Sequence, residues 1–253
     1  MIDTHCHLYL KEFDEDIDSV IKKAVTTGVS KFYLPAIDSN CHEMMTILEA
    51  KYRGKCVAMI GLHPCSVKEN FKYEIDQIKN LLQVRRFAGI GETGLDFHWD
   101  KTYVKEQYEA LEIQIELALE YKLPLILHTR NATQETIDVI SKYKGRGLSG
   151  IFHCFGGTAY EATQITGAGF YLGIGGVITY KNAGLAEVLE NVDMKHIVLE
   201  TDAPYLAPVP FRGKRNESSY LKYIAEKLAT VKNISVEEVE KITTANAENI
   251  FGV

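Results

Sequence analysis

Short apolar runs alternate with longer amphipathic stretches from one end of the chain to the other. The runs at residues 2–7, 31–37, 56–63, 87–92, 123–129, 148–153, 169–175 and 196–202 are rich in Val, Ile, Leu and Phe. Several are apolar on both faces, which predicts strands covered by helices rather than strands with one face in water. Between them, Ile17, Val20, Ile21, Ala24 and Val25 share one face at helical spacing, and Gly28 is placed to end that helix. Val104, Tyr108, Leu111, Ile115 and Ala118 form a longer stripe, and Ser235-Val-Glu-Glu238 has the spacing of a capping box that opens a last helix.

Eight strand–helix units without a linker, a fixed-period repeat or a low-complexity segment favour a closed α/β barrel of the (β/α)8 type. The expectation is one hydrolase domain over residues 1–253. An open doubly wound sheet usually has a glycine fingerprint after its first strand, and His5-Cys-His-Leu8 is nothing like one. Gly173-Ile-Gly-Gly176 has the wrong spacing for a phosphate loop and reads as a tight strand-to-loop turn.

The apolar runs end on polar side chains of one chemical kind. His5 and His7 follow Met1-Ile-Asp3, Glu92 follows Phe87-Ala-Gly-Ile90, His128 ends Leu123-Pro-Leu-Ile-Leu127, His153 follows Ile151-Phe152, and Asp202 follows Ile197-Val-Leu199. A barrel gathers strand ends at one rim, where four imidazoles and two carboxylates would hold divalent metal. His5-x-His7 is the strongest local signal, because period-two spacing on a strand turns both rings to one side. The Glu92 carboxylate can bridge two cations, and small neighbours allow close approach. Asp202 is placed to bind metal, to take a proton from metal-activated water, or both. Glu200 shares its face but reads as a supporting or barrel-lining group.

Composition trims this picture. The net charge of −6 argues against a protein that coats nucleic acid with its whole surface, and leaves room for a local basic patch. Such a patch is offered by Arg212, Lys214 and Arg215, while Arg130 is a candidate phosphate clamp and His63 a donor to a substrate oxygen. The five cysteines lack disulfide-scaffold or zinc-ribbon spacing. Cys6 and Cys154 adjoin histidines, and strand alternation turns both thiols away from the site into apolar surroundings. With neither a signal peptide nor a membrane-spanning run, the expectation is a cytoplasmic monomer.

Seven motifs together resemble the TatD-type metal-dependent deoxyribonucleases of the amidohydrolase superfamily. They are Asp3-Thr-His-Cys-His-Leu8, Gly61-Leu-His-Pro64, Gly91-Glu-Thr-Gly-Leu-Asp96, His128-Thr-Arg130, His153-Cys-Phe155, Glu200-Thr-Asp-Ala-Pro-Tyr205 and Arg212-Gly-Lys-Arg-Asn-Glu217. The resemblance implies a barrel with a binuclear site, in some members accommodating a third ion, and carries over His5, His7, Glu92, His128, His153 and Asp202 as ligands. It implies hydrolysis of DNA phosphodiesters by metal-activated water, as a 3′–5′ exonuclease on single strands or frayed ends, with magnesium or manganese in use and zinc also able to bind. By itself, an imidazole-rich shell suits zinc or another transition metal better than magnesium. Tyr9 stands where family members often have Asp, and Ser218 where they often have Pro. An esterase or deacylase, for example on aminoacyl-tRNA, is the rival on the same barrel. A cyclic-amide hydrolase is disfavoured because Glu92 occupies the place of the carboxylated lysine of that branch, and a non-catalytic scaffold because every expected ligand is present.

Overall fold

The computed structural model describes residues 1–252; residue 253, the last of the expected domain, lies outside the described residues. Eight strands alternate with helices: β1 (Ile2–Asp3), β2 (Lys31–Leu34), β3 (Cys56–Ala58), β4 (Ile90–Asp96), β5 (Leu125–Arg130), β6 (Gly150–Phe152), β7 (Tyr171–Ile174) and β8 (Ile197–Leu199). Every strand pairing is parallel, in the order β1-β2-β3 and β4-β5-β6-β7-β8.

Backbone hydrogen bonds join these two sheets at both seams. Ile60 donates to Gly89 and accepts from Gly91 (3.1 and 2.8 Å), linking the β3 end to β4. At the other seam Thr4 donates to Leu199 and Asp202 to His5 (3.1 and 2.9 Å), and Cys6 bridges Ala203. The result is the (β/α)8 TIM-barrel architecture expected from the apolar runs.

The helices are α1 (Ile17–Thr26), α2 (His42–Lys51), α3 (Phe71–Val84), α4 (Val104–Tyr121), α5 (Thr133–Ser141), α6 (Ala159–Gly167), α7 (Leu185–Glu190), α8 (Leu221–Lys232) and α9 (Val236–Phe251). In α1 the predicted stripe buries Val20, Ile21 and Ala24, and Gly28 follows with φ +92°. Each large aliphatic side chain so buried contributes about 1.5–3 kcal/mol. Ser235 caps α9 by accepting from the Glu238 amide at 3.1 Å. A reciprocal capping box forms instead at α6, between Thr158 and Glu161. The last helix packs over the strands: Phe251 stacks on Tyr33 (3.6 Å between centroids), and Ala247 joins Ile2, Met59, Ile126, Ile151 and Val198 in one apolar cluster. No helix among the described residues is long and apolar enough to cross a membrane.

Six strands are shorter than their apolar runs, because the last residues of those runs leave the ladder to line the rim. β5 runs one residue past its run to Arg130, and β4 goes further. It continues four residues beyond Glu92 to Asp96, with a shift of register between Ile90 and Thr93. Gly94 makes this possible: its φ is +140°, and a Cβ there would stand 2.0 Å from the His128 carbonyl oxygen. The glycines around Glu92 thus serve the close approach of backbone to backbone across β4 and β5.

Candidate metal centre

The strand ends converge on a cleft of about 1020 Å³. The six ligand candidates His5, His7, Glu92, His128, His153 and Asp202 come together at its floor, and Glu92 lies between two groups of imidazoles. Its Oε2 faces His5 Nε2 at 3.2 Å and His7 Nε2 at 3.6 Å, while its Oε1 faces His128 Nδ1 at 3.0 Å and His153 Nε2 at 3.4 Å. Asp202 Oδ1 closes the first group, 3.7 Å from His5 Nε2 and 3.5 Å from His7 Nε2. Asp202 holds a left-handed backbone, φ +56°, uncommon for a residue with a side chain and typical of positions that surrounding structure over-determines for function.

His153 bridges the two groups. Its ring stacks on that of His5 at 3.6 Å and lies 6.2 Å from that of His128. Donor atoms of His5, His153 and Asp202 fall within 4.8 Å of one another, as do those of His5, His7 and Glu92 and of His63, Glu92 and His128. His128 and His153 both face Glu92 Oε1.

Hydrogen bonds behind the rings set which nitrogen faces the cleft. Tyr9 spends its single proton on the Pro35 carbonyl (2.6 Å), so its oxygen accepts from His7 Nδ1–H (2.9 Å), which in the neutral ring leaves Nε2 with a lone pair. Glu200 accepts from His153 Nδ1 (3.0 Å) and from the Cys154 amide (2.5 Å), which frees His153 Nε2. The sequence expectation of a supporting role for Glu200 matches this placement, and Gly173 makes room: a Cβ there would lie 2.2 Å from Glu200 Oε2. Asp96 accepts from His128 Nε2 at 2.9 Å and leaves Nδ1 facing Glu92. Such carboxylate–histidine pairs orient metal ligands and raise their basicity.

His63 is wired the other way. Its Nδ1 accepts from the Cys65 amide at 3.0 Å, so the neutral ring carries its proton on Nε2, 3.4 Å from Glu92 Oε1. Burial holds His63 below the usual histidine range, and it is therefore a neutral donor. Its proximity to Glu92 and His128 resembles a ligand set, but the tautomer gives it no lone pair to offer.

Charge is strongly polarised here. Burial pushes Glu92 up, but the His63, His153 and His5 rings around it and its contact with His128 hold it well below the usual carboxylate range. Asp202 is lowered in the same way, burial being overcome by His153, His7 and His5. Burial depresses His7 and His153, yet Asp202 and Glu92 raise the first to about 9, and Glu200 and Glu92 raise the second to about 10. His5 goes down, through burial and the charge of His153. The donor set fits divalent metal on two counts. The separations of His5 Nε2 and His7 Nε2 from each other, from Glu92 Oε2 and from Asp202 Oδ1, 3.2–3.7 Å, are close to the edge of about 3.3–3.6 Å expected between ligands 2.0–2.2 Å from a tetrahedral ion. His5 Nδ1, meanwhile, is buried without a hydrogen-bond partner among the described residues, so its ring is oriented by packing and by what its Nε2 meets.

The back of β4 is braced by α4. Gln107 Oε1 accepts from the Asp96 amide (2.9 Å), and Gln114 Nε2 donates to Thr93 Oγ1 (2.6 Å). Neither glutamine nor Asp96 stands out in the sequence; Asp96 ends a quoted motif, but the strand expected there stops at Glu92. Cys6 is buried and turned toward the Tyr33 carbonyl as alternation requires. Cys154 is not, because its φ of +48° breaks the alternation, and it lines the cleft, partly exposed, as does Cys65.

The candidate substrate contacts Arg130, Arg212 and Lys214 line the upper cleft beside Trp99. Arg130 lies over the Trp99 ring at 5.0 Å and Arg212 over Tyr180 at 4.5 Å. Arg215, grouped with them in sequence, instead grips Asp16 with both terminal nitrogens (2.8 and 2.6 Å). It takes the loop carboxylate rather than a place in the cleft.

A family model described as TatD related DNase matches residues 2–252. The uncharacterized metal-dependent hydrolase YabD of Bacillus subtilis (strain 168) is 37% identical over 258 residues, covering 100% of this chain and 99% of that protein. The 3′-5′ ssDNA/RNA exonuclease TatD of Citrobacter rodentium (strain ICC168) is 30% identical over 260 residues, covering 100% and 98%. Among solved structures, the TatD homolog YjjV of Escherichia coli K12 superposes with a TM-score of 0.94 at 26% identity, covering 100% of this chain and 98% of that one. The chain belongs to the TatD related DNase family of metal-dependent hydrolases.

Proposed function

We propose that the chain, working as a single barrel domain in the cytoplasm, hydrolyses DNA phosphodiester bonds as a 3′–5′ exonuclease on single strands or frayed ends. The observation that carries this reading is Glu92, whose two oxygens face two groups of imidazoles beneath a rim of cationic side chains. The proposed ligands are His5, His7, Glu92, His128, His153 and Asp202, holding two divalent ions. All six belong to one chain, so the reading needs no partner subunit. Nitrogen-rich donors favour manganese or zinc over magnesium, whose preference is for oxygen. When bound, the ions lower the pKa of a water, orient the phosphate and neutralise charge as the ester bond breaks.

The residues divide the remaining work. Glu92 holds the two halves of the site in register. Asp202, held in the ionised range, takes the proton from the attacking water on the oxygen that does not face His5 and His7. His63 donates from Nε2 to a non-bridging phosphate oxygen, and Arg130, Arg212 and Lys214 pair with flanking phosphates. The 3′-5′ ssDNA/RNA exonuclease TatD, similar over the whole chain, supports nucleic acid as the substrate class over a simple ester.

The test is digestion of 3′- and 5′-labelled single-stranded DNA with manganese, magnesium or zinc, run beside RNA, aminoacyl-tRNA and simple esters. Expected are stepwise loss of the 3′ label and no activity in Asp202→Asn. Metal-dependent turnover of the esters or aminoacyl-tRNA with DNA untouched would overturn the reading in favour of a deacylase.

A further inference from the structure

The rim carries an aromatic group that the hydrolytic chemistry does not use. Trp99, the only tryptophan of the chain, keeps 68% of its surface exposed on the loop after β4 while lining the same cleft as the metal ligands. It is not a loose side chain. Asp96 Oδ1 accepts from the amides of His98 and Trp99 (2.8 and 3.1 Å), while its Oδ2 holds His128 Nε2. One carboxylate therefore ties the indole's loop to a candidate metal ligand.

Strand register completes the arrangement. Asp96 pairs with Arg130 across β4 and β5, and the Phe97 amide donates to the Arg130 carbonyl at 2.9 Å, which sets the guanidinium over the indole. An exposed indole costs hydrophobic free energy that a polar residue would not, and a fixed, cation-braced aromatic beside a phosphate-binding rim is the form a base-stacking platform takes.

We propose that Trp99 stacks on a nucleobase of the bound strand, with Arg130 bracing the indole and pairing with the adjacent phosphate. This rests on the nucleic-acid reading above and deepens it. An unpaired base presents its face to the indole, whereas a base within a duplex is covered by its neighbours, so the platform selects single-stranded or frayed ends. Stacking is tolerant of base identity, so no sequence preference arises from it.

The single tryptophan is its own reporter. Wild-type protein with manganese is titrated with a labelled, hydrolysis-resistant phosphorothioate thymidine oligonucleotide, reading tryptophan emission and label anisotropy together. Binding is expected to quench the emission. Trp99→Ala in the same background is expected to weaken binding about 5- to 150-fold, the factor one base–aromatic stack supplies, and Trp99→Tyr to restore most of it. An abasic position scanned along the oligonucleotide is expected to cost the same factor at one place, where Trp99→Ala then costs nothing more. Anisotropy showing no binding overturns this proposal together with the nuclease reading. Binding with unchanged emission, or Trp99→Ala and abasic losses that add at every position, overturns the stacking proposal alone.

Discussion

The floor of the cleft and its rim both follow the strands, yet they are held by different means. On the floor, His5, His7, Glu92 and His153 are buried, and His7, His128 and His153 each have an oxygen acceptor behind the ring. On the rim, Arg130 and Arg212 rest over aromatic faces, with Trp99 largely open to solvent. Burial makes each floor interaction expensive to leave unmet, so the floor has one arrangement. The rim is screened by solvent, so each of its contacts is weaker than one on the floor.

The comparison is broken most decisively at Glu92. Glu92→Gln keeps the size and removes the charge that faces both imidazole groups. Turnover is expected to fall about 10²–10⁴-fold, with metal content by elemental analysis falling too and the circular dichroism spectrum unchanged. A variant that keeps its metal and its rate would show that the floor does not depend on this bridge.

Metal removal and pH probe the same contrast. Chelation is expected to abolish activity, with restoration by manganese. In the metal-free floor His7 and His153 are raised to about 9 and about 10, so both carry protons at neutral pH. Ligation needs them neutral, so metal uptake releases protons and apparent affinity climbs with pH. The rise is up to about tenfold per pH unit for each proton displaced, shallower once pH passes 9 and ending near 10. Calorimetry in buffers of different ionisation enthalpy counts the protons, and metal binding that releases none would contradict the assignment.

Asp96 stands at the boundary of the two regions, since one oxygen holds His128 and the other the Trp99 loop. Asp96→Asn is expected to cost about 10–100-fold in metal affinity, the range found when a ligand histidine loses its carboxylate. A chelator-competition assay measures it.

The same boundary marks where the sequence stops being legible. Ligand candidates could be read because a buried parallel strand is apolar on both faces, so a histidine or carboxylate ending such a run stands out. Eight such runs also implied the ring that gathers them. Asp96 was not legible, since Thr93-Gly94 looks like the end of a strand and only the close approach of Gly94 to the His128 carbonyl lets β4 continue. Cys154 was misplaced for a related reason: alternation applies only while the backbone stays extended, and its φ is +48°. The tautomer of His63 depends on the Cys65 amide, a turn no periodicity encodes. Apart from Arg130 at the end of β5, the rim residues belong to loops, where neighbours in sequence need not share a direction, as Arg212 and Arg215 show.

Those two arginines give the finest version of the contrast. Arg212 lines the cleft, and Arg212→Ala is expected to raise KM for DNA a few-fold, reduce the salt dependence of binding by about one phosphate contact and leave stability unchanged. Arg215 donates to both oxygens of Asp16 and to the Glu12 carbonyl, pinning the loop after β8 to the segment before α1. Arg215→Ala is expected to leave the salt dependence intact and to lower stability by about 0.2–1 kcal/mol, the range of exposed pairs. The sign with pH follows from Asp16, whose carboxyl is lowered chiefly by the Arg215 hydrogen bonds. A carboxyl lowered by folding contributes fully above its unfolded value of about 3.9 and loses that contribution as pH falls through the folded one. The stability gap between wild type and Arg215→Ala, measured by urea unfolding, should therefore be constant from pH 7 to 5 and close toward pH 3. A gap that widens on acidification would mean that Arg215 acts through something other than Asp16.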